Sequence, residues 1–201
     1  MGRPLATRES AAVGSVAARA RQTLWITQSC FFFALAVCLA IYHGHVADVD
    51  GISYYGVYLP TMPVLFAGYL TAAWGLWWSA NSLVEAGAPG TLRPAMRLIA
   101  IGLAVLLVTP YDRGTFLNWA HMVTGVAMAV VQIAIALGVL ARRPGPRTVG
   151  AFGLLLLGGV LGALSLPDWH ISLLLAGECL LEVGFAWSLL EWTAALGERR
   201  A

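Results

Sequence analysis

Residues 43–66 read HGHVADVDGISYYGVYLPTMPVLF, a polar stretch between two apolar runs at 23–42 and 60–84. It is the longest polar interruption between apolar segments. Asp50-Gly51 is a turn signal, and Pro60 and Pro63 close the stretch where the second run starts. The first run has the length of about 20 residues that a helix needs to cross hydrocarbon, longer than a signal sequence carries. The pattern therefore predicts two membrane helices joined by an ordered surface loop.

Composition extends this to the whole chain. Of 201 residues, 59% are hydrophobic and 11% charged, with mean hydropathy +0.77, whereas soluble proteins average about 25% charged. Further apolar runs follow at 95–110, 115–141, 148–166 and 170–193. They are separated by Ala88-Pro89-Gly90, the 110–114 stretch PYDRG, Arg143-Pro144-Gly145-Pro146 and Leu166-Pro167-Asp168, and such short breakers make neighbouring helices antiparallel. The expected fold is all-α: a polytopic six-helix transmembrane domain over 22–195. An Arg-rich cytoplasmic segment, 1–21, weakly ordered, precedes it, and a cytoplasmic tail, 196–201, follows.

Charge placement orients the bundle. All 12 basic residues are arginines. With the amino terminus cytoplasmic, only Arg113 falls outside, which predicts six crossings with both termini inside a cell membrane. The absence of lysine excludes a lysine Schiff base, and a net charge of +2 gives no basic surface for nucleic acid. Cys30, Cys38 and Cys179 lie in apolar runs without a CxxC pair, so no disulfide framework is indicated. Walker, GxGxxG, HExxH and GxSxG patterns are missing.

The same topology gathers His43, His45, His121 and His170 at or just below the outer surface, with Asp48, Asp50, Asp112 and Asp168. His121 and Glu178 lie about two turns inside their helices, where an ionisable group is costly and faces a partner. Asn118, His121, Gly125, Met128 and Gln132 form one stripe on the fourth apolar run, expected to face other helices. Glu178 and Glu182 are one turn apart and would not both carry charge without a partner; as protonated groups they could equally be packing glue. A direct His121–Glu178 contact is the expected pairing. The tryptophans read mainly as interface belts, and Gly153, Gly158, Gly159 and Gly162 as a smooth packing face.

Ile52-Ser53, Gly56, Pro60 or Pro63 and Phe66 resemble the first outer loop of the Frag/DRAM/Sfk superfamily of six-helix membrane proteins and its bacterial relatives. His121 falls where that superfamily tends to carry a histidine. The acidic and His-rich lead-in at 43–50 departs from the pattern. The resemblance implies a bacterial inner-membrane protein concerned with lipids, with no catalytic mechanism to carry over.

Three function classes remain open. In the first, the protein binds a lipid, a lipid-linked ligand or a membrane partner in an outer cavity through His121, Glu178, Asn118, Ser53, Tyr54 and Glu182. In the second, it is an intramembrane hydrolase or transferase acting on a lipid, with a divalent metal held among His43, His45, Asp48, Asp50, His121 and His170. The third is a haem or electron-transfer protein.

Overall fold

The computed structural model describes residues 4–165 and 171–198. Among them the chain is helical throughout, with six long helices and two short ones. The long helices are α1 (Pro4–Ile41), α4 (Met62–Glu85), α5 (Leu92–Val108), α6 (Thr115–Arg142), α7 (Pro146–Leu164) and α8 (Leu174–Glu198). Two short helices, α2 (His45–Asp50) and α3 (Tyr54–Val57), lie in the loop between α1 and α4.

Among the described residues, four helices are long and apolar enough by themselves to cross a bilayer: α1 from Gly14 onward, α6, α7 and α8 up to Leu196. The other two are weaker for different reasons. α4 has 24 residues but is diluted by Trp74, Trp77, Trp78, Asn81 and two serines. α5 has 17 residues, about 26 Å at the α-helical rise, a little less than the hydrocarbon core.

Helix boundaries follow local chemistry. Pro63 and Pro146 sit in the first turns of α4 and α7, where a missing N–H costs nothing. α4 ends on Gly87 at φ 101°; the Gly87 N–H donates to Val84 O and the Ala88 N–H to Leu83 O, the two bonds that satisfy carbonyls at a left-handed helix end.

The helices form a ring in the order α1, α4, α5, α6, α7, α8, with α8 also touching α6 and the α2 segment. Close approaches show α1 antiparallel to α4, where a Cβ on Gly75 would meet Thr27 and one on Gly68 would meet Ala34. α1 runs through residue 21 without a break, and Ala17 and Ala20 are buried in the core. The Arg-rich segment before residue 22, expected to be weakly ordered, is thus part of a continuous helix with core contacts.

At one end of the bundle, arginines sit over aromatic faces. The Arg97 guanidinium lies 4.7 Å from the Trp77 ring centroid and donates to Asn81 Oδ1 at 3.1 Å. Arg142 lies 5.2 Å from the Trp192 ring, and Arg143 approaches Glu191 at 3.9 Å. Cation–π contact lets these charges stay beside the apolar core. Trp192 is buried, whereas Trp25, Trp74, Trp78 and Trp119 are exposed.

The tightest seam joins α7 to α8. A Cβ on Gly158 would meet the Leu181 backbone, one on Gly177 would come 2.6 Å from Gly162 N, and one on Gly184 would come 2.8 Å from Ala151 O. Neither side can yield, because the obstacles are backbone atoms. Gly153 by contrast faces open space. Gly158→Ala should cost about 1–3 kcal/mol by overpacking, while Gly153→Ala should be neutral or stabilise by about 0.5–1 kcal/mol. Thermal unfolding of the two variants in detergent checks the contrast, which equal melting shifts would contradict.

Candidate functional site

The end of the bundle opposite the arginine–tryptophan stacks carries the 42–61 loop, and three contacts tie that loop to α8, α6 and the 109–114 turn. Gly51 ends α2 with φ 72°, a conformation open to glycine at no steric cost. This turn presents the next amide to α8: Ile52 N–H donates to Glu178 Oε2 at 2.6 Å. A Cβ on Gly51 would collide with the same carboxylate. Glycine is thus required twice, for the backbone angle and for the approach.

Ser53, the following residue, reaches α6 instead. Its Oγ lies 2.6 Å from His121 Nε2, and His121 Nδ1 lies 2.7 Å from the Thr109 carbonyl oxygen. A carbonyl only accepts, so Nδ1 carries a hydrogen. In the neutral ring Nε2 is then the acceptor and the Ser53 hydroxyl the donor. The third contact comes from the 109–114 turn, where the Tyr111 hydroxyl donates to Asp50 Oδ2 at 2.8 Å. Burial, and then the bond to Asp50, push the Tyr111 pKa far above its ordinary value, so this phenol stays a donor at physiological pH.

Tyrosines stiffen the loop from behind. Tyr42, Tyr54 and Tyr58 form a mutual cluster with ring centroids 5.2–5.5 Å apart, a favourable separation for aromatic pairs. Tyr55 is buried and donates to the Tyr42 carbonyl at 3.1 Å. Burial pushes its pKa up to about 12. Thr61, fully buried, shares its hydroxyl between the carbonyls of Tyr55 and Tyr58 at 3.0 and 3.1 Å, and its own carbonyl accepts from Cys38 Sγ at 3.7 Å.

Between α3, α4, α5 and α6 these groups border a cleft. Ser53, Tyr111 and His121 supply its polar end, while Leu65, Phe66, Leu106 and Leu107 are among its apolar walls. It leaves about 20 Å³ for the centre of a water-sized molecule, enough for one water. Phe66, Leu106 and Leu107 are half-buried, so the apolar wall reaches the bundle flank.

The remaining site candidates divide. His121 and Glu178 have no hydrogen bond or ion pair to each other; each is bound to the loop, through the adjacent residues Ser53 and Ile52. The expected direct pairing is thus replaced by a shared hold on two consecutive residues, because backbone and hydroxyl groups satisfy both side chains first. Glu182 accepts from Gln132 Nε2 at 2.8 Å and lines a separate cavity of about 10 Å³ with Gln28, Phe31 and Phe185. The hydrogen-bond partners of the two glutamates are thus the Ile52 amide and the Gln132 side chain.

On α6, Met128 and Gln132 are buried and His121 half-buried, but Asn118 is exposed. The stripe faces inward only below the first turn. His43 and His45 are exposed, and Asp48 is half-buried. Among the described residues no three His, Cys, Asp or Glu side chains come together as metal ligands; His170 lies outside them. Sequence reasoning missed Thr109 and Tyr111, whose only signal is their place at the 110–114 breaker, and Thr61.

No protein-family model, curated protein or solved structure matches the chain.

The Glu178 bond makes a measurable demand on the loop. Glu178→Leu removes the acceptor and leaves the Ile52 amide unpaired, a loss of about 1–3 kcal/mol, or roughly tenfold to hundredfold faster amide exchange at Ile52. Gly51→Ala should act in the same direction, and Glu178→Gln, which keeps an acceptor oxygen, should preserve most protection. Unchanged exchange in Glu178→Leu would show that the bond does not hold the loop.

Proposed function

We propose that this protein is a multi-pass cell-membrane protein whose six long helices all cross the bilayer, with both termini cytoplasmic, and that it holds a lipid or lipid-linked molecule in the cleft beneath the 43–66 loop. The carrying observation is the polarity of the cleft: hydroxyl and imidazole groups at one end, and a half-exposed apolar wall of Phe66, Leu106 and Leu107 leading to the flank. An amphipathic ligand matches both. The enclosed space admits about one water, so the head would meet the half-exposed Ser53, His121 and Tyr111 from the mouth of the cleft, and the chain would lie along α4 and α5. Ionisable groups within a membrane helix are functional candidates by default, and irregular backbone at that depth is tolerated where it lines a cavity.

The distribution of arginines supports the orientation, since the end bearing Arg97, Arg142 and Arg143 is then the cytoplasmic one. The likeness of Ile52-Ser53, Gly56 and Phe66 to the Frag/DRAM/Sfk loop adds a lipid-related expectation to this reading.

Two experiments test it. A membrane-impermeant maleimide applied to intact cells should label Asp48→Cys and Asp112→Cys but not Gly145→Cys; labelling of the last would overturn the orientation. For the cleft, a phospholipid with a diazirine near its headgroup should crosslink to peptides containing Ser53 or Tyr111. Leu106→Trp, which fills the apolar wall, should reduce that adduct about tenfold, the loss expected for roughly 1.4 kcal/mol. Crosslinks spread evenly along the lipid-facing helices, with no effect of the tryptophan, would remove the case for the cleft.

A further inference from the structure

Within the cleft, one contact has more chemistry in it than binding requires. Ser53 Oγ and His121 Nε2 are 2.6 Å apart, while the opposite ring nitrogen is fixed by the Thr109 carbonyl at 2.7 Å. A hydroxyl within hydrogen-bond reach of a base, with the base oriented by a third group, is the arrangement that activates a serine nucleophile. The orienting group is here a backbone carbonyl, which sets the tautomer as a carboxylate would but adds no charge.

The loop also holds its serine stiffly. Two residues just before it are anchored, Asp50 to Tyr111 and Ile52 to Glu178, and positioning of this kind is what converts a nearby hydroxyl into a reactive one. The amides around it are committed: Ile52 to Glu178, Tyr54 to Gly51 O, Tyr55 to Ile52 O and Gly56 to Ser53 O. Among the described residues, the Ser53 N–H alone in this run has no acceptor. A free amide on the nucleophile's own residue is a donor for the oxyanion of a tetrahedral intermediate.

We propose that Ser53 and His121 form an acyl-transfer dyad acting on the ester of a membrane lipid. The inference rests on the cleft reading above, and adds the reaction. Ser53 Oγ bonds to the ester carbonyl carbon as its proton passes to His121 Nε2. The carbon–oxygen bond to the lipid alcohol then breaks, and Nε2 returns that proton to the departing alkoxide. An acyl group is left on Ser53. Water or a second lipid hydroxyl attacks it, giving its proton to Nε2; the bond to Oγ breaks and Oγ takes the proton back. Nothing is oxidised or reduced, and the acceptor hydroxyl is the only co-reactant.

A long-chain alkyl fluorophosphonate, which traps activated serines covalently, tests the dyad on the full-length protein in detergent micelles. The adduct should map by mass spectrometry to Ser53 in the wild-type protein. Its rate of formation should fall at least about a hundredfold in His121→Gln, the contribution expected of a general base. The wild-type adduct needs no variant to fold, so its absence from Ser53 overturns the dyad, as does labelling of His121→Gln at the wild-type rate. Lipid crosslinking in the cleft without phosphonylation would refute the reaction and leave the binding reading standing. Phosphonylation of Ser53 without any crosslink in the cleft would support the dyad and refute the binding mode.

Discussion

The bond from the Ile52 amide to the Glu178 carboxylate is the constraint on which the polar end of the molecule depends. It joins residues 126 apart in sequence and needs a glycine at position 51 for two separate reasons, backbone angle and clearance. Once Ile52 is fixed, Ser53 has little freedom and falls within reach of His121. The same turn brings Asp50 to Tyr111. Two polar groups that would be costly alone inside apolar helices are thus satisfied by a single piece of loop, and the loop gains its order from them.

A different constraint shapes the other side of the bundle. α7 and α8 approach until glycine on each meets backbone on the other. In hydrocarbon, where apolar side chains gain little from meeting one another, such contact is an efficient source of helix association. This close pairing positions α8, and α8 carries Glu178, so packing on one flank supports the loop on the other.

Much of this was legible in the sequence because polarity is. The apolar runs and their breakers give the long helices, and the 43–66 interruption marks the loop. His121 and Glu178 stood out as ionisable residues in apolar surroundings. Their partners did not, since the Ile52 amide and the Thr109 carbonyl are backbone groups that every residue has. The Gly177 and Gly184 side of the seam was hidden for a related reason: it depends on the rotation of α8 about its axis, and the apolar pattern there runs nearly all round the helix. Asn118 was placed on an inward stripe by periodicity, which cannot tell where the neighbouring helices stop. The continuity of α1 before residue 22 is hidden in the sequence because alanine is a weak signal of burial, yet Ala17 and Ala20 are core residues.

The long sequence separation of the Ile52–Glu178 bond also imposes an order of assembly. Loop, serine and histidine are all synthesised well before residue 178 exists. Until α8 joins the ring, the Ile52 amide has no carboxylate to hold it, and the loop can keep its turn only through the weaker help of Tyr111 and the tyrosine cluster. The serine–histidine contact therefore gains its support from Glu178 only once α8 has packed into the ring. A nascent chain at the ribosome would carry every residue of the cleft and still lack its geometry, so the finished site reports that the whole bundle has closed.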